Sequence, residues 1–92
     1  MISIIIPTYN NSNQLIKTIS NVFLQDINDI EIILIDDASS DDTELKIKAL
    51  NNSKIKYFKH SRNMGVTFSR VEGIKKSSGQ CHQIHLPRQN QR

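Results

Sequence analysis

Apolar residues in this chain follow two rhythms. Ser3 to Ile6 is a short apolar run closed by Pro7, and Ile30 to Ile35 is a second one closed by Asp36 and Asp37. Continuous Ile/Leu runs, as opposed to alternating ones, mark strands buried on both faces, as in parallel sheets. Between them Leu15, Ile16, Ile19, Val22 and Phe23 recur at helical spacing, behind the capping candidates Asn11, Ser12 and Asn13. This is the pattern of a βαβ unit. The rhythm then repeats: Asp41 and Glu44 have the spacing of a capping box, and Leu45, Ile47, Ala49 and Leu50 supply a short helix that Asn51-Asn52-Ser53 ends. Ile55 to Phe58 predicts a third strand, more polar and so at an edge, and residues 66 to 76 predict a third helix.

Right-handed crossovers turn a βαβαβα chain into an open parallel sheet. The expected fold class is α/β, a Rossmann-like three-layer αβα arrangement with a short parallel sheet in spatial order 3-2-1. Ligands of such sheets bind at the carboxyl ends of the strands. Here those ends carry Pro7-Thr8-Tyr9-Asn10 and Asp36-Asp37. Residues 1–79 read as one unit. The last stretch, 80–92, has little apolar content and no helical period, and reads as an aberrant or poorly ordered tail.

A chain of 92 residues allows one small domain, and the blocks of apolar residues suit a globular chain. The net charge of +3 comes from 12 basic and 9 acidic residues, with the excess between Lys54 and Arg62 and at Arg88 and Arg92. This is a solvated basic face without the dense Lys/Arg clustering of a nucleic-acid groove, so no nucleic-acid partner is expected. The lone Cys81 excludes an intramolecular disulfide and fits a reducing compartment, with cytoplasm as the expected location. The opening Ile2 to Ile6 is too short for a signal-peptide core, and no apolar run approaches the ~20 residues needed to span a bilayer.

Two carboxylates at the end of a buried strand are costly, because desolvation and mutual repulsion both oppose their ionisation. By spacing alone, Asp36, Asp37, Ser39 and Ser40 either turn the chain and cap the next helix or form one side of a binding site. The wider pattern is more specific. Ser-Ile-Ile-Ile-Pro-Thr-Tyr-Asn at 3–10, then Ile-Leu-Ile-Asp-Asp-Ala-Ser-Ser-Asp-Asp-Thr at 33–43, resembles the inverting glycosyltransferases of family 2. Asn63-Met64-Gly65, Ser69-Arg70, Gly73 and Ser78-Gly79 resemble that family's third helix and its flanking glycines. The resemblance covers residues 2–79.

The resemblance implies a GT-A fold, here a truncated one, whose Rossmann-like half binds a nucleotide-sugar, commonly a UDP-sugar, with a divalent metal. Carried over, Pro7, Thr8 and Tyr9 would line the base and ribose, with the Tyr9 ring as a stacking face. Asp37 would accept the imide hydrogen of uracil and so distinguish it from cytosine, with Asp36 in support. Arg70 would reach the base or diphosphate; the alternative for it is an ordinary helix-surface arginine. His60 is expected at a strand end with no special role. Cys81, His82 and His85 do not make a closed metal set. The glycines form neither a GxGxxG nor a P-loop, and Asn10-Asn11-Ser12 matches a glycosylation acceptor in a chain with no sign of secretion.

After Gly79 the resemblance would continue into an acidic residue, an apolar strand and an Asp-x-Asp metal motif. Laid on without a gap, the acidic pair falls on Leu86 and Arg88, separated by Pro87. The expectation is a truncated fragment with no catalytic or metal-binding residue of its own and no transfer activity alone. Mg or Mn is expected for the full-length family. Two rivals stand beside this: a non-catalytic nucleotide-binding or assembly fragment, and a receiver-like signalling domain, which would need five strands and a lysine ending the last. The bare edge of the first strand is expected either to recruit a second copy, giving a homo-oligomer, or to pair with Gln80 to Leu86; association is the favoured outcome.

Overall fold

A computed structural model describes residues 1–25 and 28–83. The elements are β1 (Ile2–Thr8), α1 (Ser12–Leu24), β2 (Ile30–Asp36), α2 (Thr43–Leu50), β3 (Ile55–Lys59), α3 (Val66–Lys76) and β4 (Gln80–Gln83). The strands form one parallel sheet in the order β3-β2-β1-β4. The expected order 3-2-1 therefore holds for the first three strands and is extended by a fourth. That strand begins at Gln80, where the sequence reading placed the tail. It lies along Ile2 to Ile5 of β1 and takes the place at that edge that a second copy of the chain was expected to take. Polar residues suffice there because the contact is made by backbone groups, whose pairing does not depend on side-chain type.

The period of two in a strand divides the core into two layers. Ile4, Ile6, Ile32 and Leu34 face Leu15 and Ile19 of α1 and Ile47 of α2. Ile5, Ile33 and Ile35 face the other way, with Phe58 packed beside them under α3. Helix α3 lies close to the sheet because residue 73 is glycine: a Cβ there would collide with the Ile5 side chain.

The helix starts differ from the expected local caps. Neither Asn11 nor Asp42, the residues preceding α1 and α2, makes a side-chain capping bond. Instead the Ser12 hydroxyl donates to Asp42 (2.6 Å) and the Ser12 amide to Asp41 (3.4 Å), so α1 receives acidic groups from the loop before α2. Asp41 also accepts from the Thr43 amide (3.1 Å), while Glu44 pairs with Lys48 and Lys59 and does not complete the reciprocal box.

One charge sits inside the second run. Glu31 is 3% exposed, and its carboxylate accepts from the Ser3 hydroxyl (2.5 Å), the Ser78 amide (2.6 Å) and Lys56 Nζ (2.8 Å). The Gly79 amide donates to the same Ser3 hydroxyl (2.9 Å), so this cluster anchors the turn between α3 and β4. Burial pushes the Glu31 carboxyl up, and the bonds from Lys56, Ser3 and Ser78 outweigh it, lowering it from 4.5 to about 2. The folded value lies below the unfolded one, so the resulting stability is complete above about pH 4.5 and is lost as pH falls towards about 2. Acid unfolding followed by circular dichroism should show a loss on the order of 3 kcal/mol across that window. Glu31→Gln should lose the Glu31 share of that pH dependence and keep the smaller part that Asp37 contributes. An unchanged acid limb in that variant would exclude Glu31 as a contributor to it.

Candidate functional site

At the carboxyl ends of β1 and β2 the register pairs Thr8 with Asp36. The turns that follow are bound into one unit. Asn10 donates its amide to the Ser39 hydroxyl (2.8 Å), and its side-chain oxygen accepts from the amides of Ser40 (2.8 Å) and Asp41 (3.3 Å). Asn10 (φ 51°) and Ala38 (φ 67°) both lie in the left-handed region. An alanine there is held against a local cost, of the kind that gathers at binding sites.

Beside this unit lies a small cleft lined by Pro7, Thr8, Tyr9, Asn11, Asp37, Val66 and Ser69. Four of the residues expected at the site, Pro7, Thr8, Tyr9 and Asp37, thus come together. The Thr8 hydroxyl oxygen is buried with no hydrogen-bond partner among the described residues. A buried polar atom of this kind on a cleft wall is suited to a ligand.

The two acids have separate jobs. Asp36 is fully buried and accepts from the Ser39 amide (2.9 Å) and the Tyr57 hydroxyl. It supports the turn from beneath and is not part of the cleft wall. Burial and the Asp36 carboxylate raise the Tyr57 phenol well above its ordinary value, so it stays a donor. Asp37 faces the cleft, and one carboxylate oxygen accepts from His60 Nδ1 (2.9 Å) and the Met64 amide (2.6 Å), the other from the Gly65 amide (3.0 Å). Burial pushes its carboxyl up, and the bonds from His60, Met64 and Gly65 outweigh this and hold it lowered. The Asn63 side chain donates to the Asp37 carbonyl (2.5 Å). Asn63-Met64-Gly65 is therefore the loop that grips Asp37.

Arg70 sits on α3 next to Ser69, half-buried, and is not among the residues lining the cleft. His60 does more than end a strand. Its Nε2 lies 2.5 Å from Glu72 Oε1, so the ring bridges Asp37 and α3. Asn11, Val66 and Ser69 enter the site without having been singled out for it; Val66 and Ser69 do so because the first turns of α3 lie across the strand ends. Among the described residues no group of three His, Cys, Asp or Glu side chains could hold a metal ion. Leu86 to Arg88 and His85 lie outside the described residues.

The sequence profile of glycosyl transferase family 2 matches residues 3–84. The chain belongs to that family. An uncharacterized glycosyltransferase of Rickettsia conorii is 43% identical over 79 residues, covering 85% of this chain and 13% of that protein. A GalNAc(5)-diNAcBac-PP-undecaprenol beta-1,3-glucosyltransferase of Campylobacter jejuni is 37% identical over 82 residues, covering 86% and 26%. This chain thus spans only 13% to 26% of the length of these relatives. The family fold is also shared with solved structures of the GT-A type. TarS 1-349 of S. aureus in complex with UDP superposes with a TM-score of 0.80 at 25% identity, over 91% of this chain and 26% of that one. The mannosyltransferase PcManGT of Pyrobaculum calidifontis, in complex with GDP-Man and Mn2+, gives 0.75 at 19% identity, over 84% and 24%. Among the described residues no helix is long and apolar enough to cross a membrane.

Proposed function

We propose that the cleft between Thr8 and Asp37 binds the nucleoside of a nucleotide-sugar, a UDP-sugar, and that the chain is the donor-binding part of a family 2 glycosyltransferase. Transfer to an acceptor belongs to the whole protein, with Mg or Mn as the family's metal. The reading rests on Asp37. A carboxylate has about four lone-pair sites, and His60, Met64 and Gly65 take three. The fourth, on the oxygen bonded to Gly65, is left on a residue of the cleft wall. It can accept one N–H, which uracil presents at its ring imide and cytosine does not. Thr8 adds a buried hydroxyl and Tyr9 a ring for stacking. The UDP held by TarS fits this choice of base. The lone cysteine makes the cytoplasm, where thiols stay reduced, the proposed location.

Titration calorimetry with UDP and CDP tests the assignment. UDP should bind with a dissociation constant of ~0.1 mM or weaker, since few contacts are available. CDP should bind about tenfold more weakly, because its ring nitrogen turns a lone pair towards Asp37. Equal binding of the two nucleotides would overturn the reading.

A further inference from the structure

We infer that His60 is a positioning residue for the donor site: held as an imidazolium between Asp37 and Glu72, it keeps the Asp37 carboxylate turned so that its free lone pair serves the cleft. The inference rests on the nucleotide reading above and gives it a pH dependence. Both ring nitrogens meet carboxylate oxygens, Asp37 at 2.9 Å and Glu72 at 2.5 Å. An ionised carboxylate only accepts hydrogen bonds, and a neutral imidazole has one N–H to give. Both contacts together therefore call for the doubly protonated ring.

The surroundings hold the ring in place. The His60 side chain is 10% exposed, its amide donates to the Asp36 carbonyl (2.8 Å), and the Phe68 ring packs edge-on at 5.4 Å. Asp37 faces the ring from the end of β2 and Glu72 from α3. The Asp36 carboxylate is turned to Ser39 and Tyr57, and the neighbouring Lys59 is paired with Glu44 of α2. Burial lowers the His60 pKa, and the bonds to Asp37 and Glu72 outweigh this, raising it above its ordinary 6.5. When the ring loses its proton, one of the two bonds goes. Either Asp37 loses a donor that fixes its rotation or α3 loses its tie to the strand end, and both loosen the grip of Met64 and Gly65.

Two readouts on the 92-residue chain test this. In the nucleotide-free protein, NMR between about pH 5.5 and 8.5 should find both His60 nitrogens protonated at the acid end, with a midpoint above 6.5. The Met64 and Gly65 amides should shift with the same midpoint. Glu72→Gln, at a partly exposed position, should move that midpoint down, and in His60→Gln the two amides should cease to titrate. UDP-glucose, whose diphosphate does not titrate in this range, should bind about tenfold more weakly above the midpoint, the worth of one charge-assisted bond. Its affinity for His60→Gln should be low and flat with pH. Amides that do not follow the ring, or UDP-glucose binding to the unmodified chain that is flat with pH, would overturn the inference. Amides that follow the ring while UDP-glucose binds at no pH would support the clamp and overturn the nucleotide reading instead.

Discussion

Ile5→Lys should leave this chain without a folded state. Ile5 is fully buried at the centre of β1, between Ile33 and Ile35 of the neighbouring strand and Gly73 of α3. The closeness of α3 makes the position unforgiving, since a lysine stem has no gap through which to reach water. The ammonium must either stay charged in an apolar layer or give up its proton, at a cost of about 4 to 7 kcal/mol, and the lost packing of a buried isoleucine adds about 2 to 5 kcal/mol. A domain this small has a stability of only about 5 to 10 kcal/mol. Loss of amide dispersion in the NMR spectrum and of cooperative melting would confirm the expectation. A cooperative transition retained within a few degrees of the parent would mean that the β1–α3 layer is not the core.

The second large effect is expected from Asp37→Ala. Removing this carboxylate strips the acceptor from His60, Met64 and Gly65 together. Their exposed parts can turn to water, so the cost should be about 2 to 4 kcal/mol, a fall in melting temperature of roughly 4 to 8 °C per kcal/mol. UDP binding should be lost completely, because the acceptor we propose for the base goes with the carboxylate. Asp37→Asn separates the two roles. Its amide oxygen can keep part of the loop, so stability should recover in part, whereas its NH2 group cannot supply the four lone pairs of the original. A variant that melts like the parent would mean that the loop from Asn63 to Gly65 is held by something else. Full UDP affinity in the alanine variant would detach Asp37 from the ligand.

Much of the scaffold was legible because it depends on short-range pattern. The runs Ser3 to Ile6 and Ile30 to Ile35, and the apolar stripe of α1, state which elements form, and the handedness of crossovers then places the strands in order. The carboxyl ends of β1 and β2 follow as the ligand side, which brings Pro7-Thr8-Tyr9-Asn10 and Asp36-Asp37 forward before any coordinates. The family resemblance then singled out Pro7, Thr8, Tyr9 and Asp37 among them. Local chemistry was less reliable: the capping box at Asp41 and Glu44 is not completed, because Asp41 accepts from the Thr43 amide and hydroxyl and Glu44 turns to Lys48 and Lys59. The strand at Gln80–Gln83 was legible only as one of two outcomes, since its side chains carry no strand pattern.

The sequence by itself determined the element order, the two-sided burial of β1 and β2, and the loop ends at which the cleft opens. Each of these follows from residues a few positions apart along the chain. Only the tertiary structure decided what surrounds each acid: Asp36 is buried against Tyr57, and Asp37 faces the cleft and meets His60, Met64 and Gly65, across separations of 21 to 28 residues. It likewise made Glu31 a satisfied buried charge, through Lys56 and Ser78 at 25 and 47 residues away. A side chain's hydrogen bonds depend on what the fold brings within about 3 Å of it, and that distance is set by packing, not by position in the sequence.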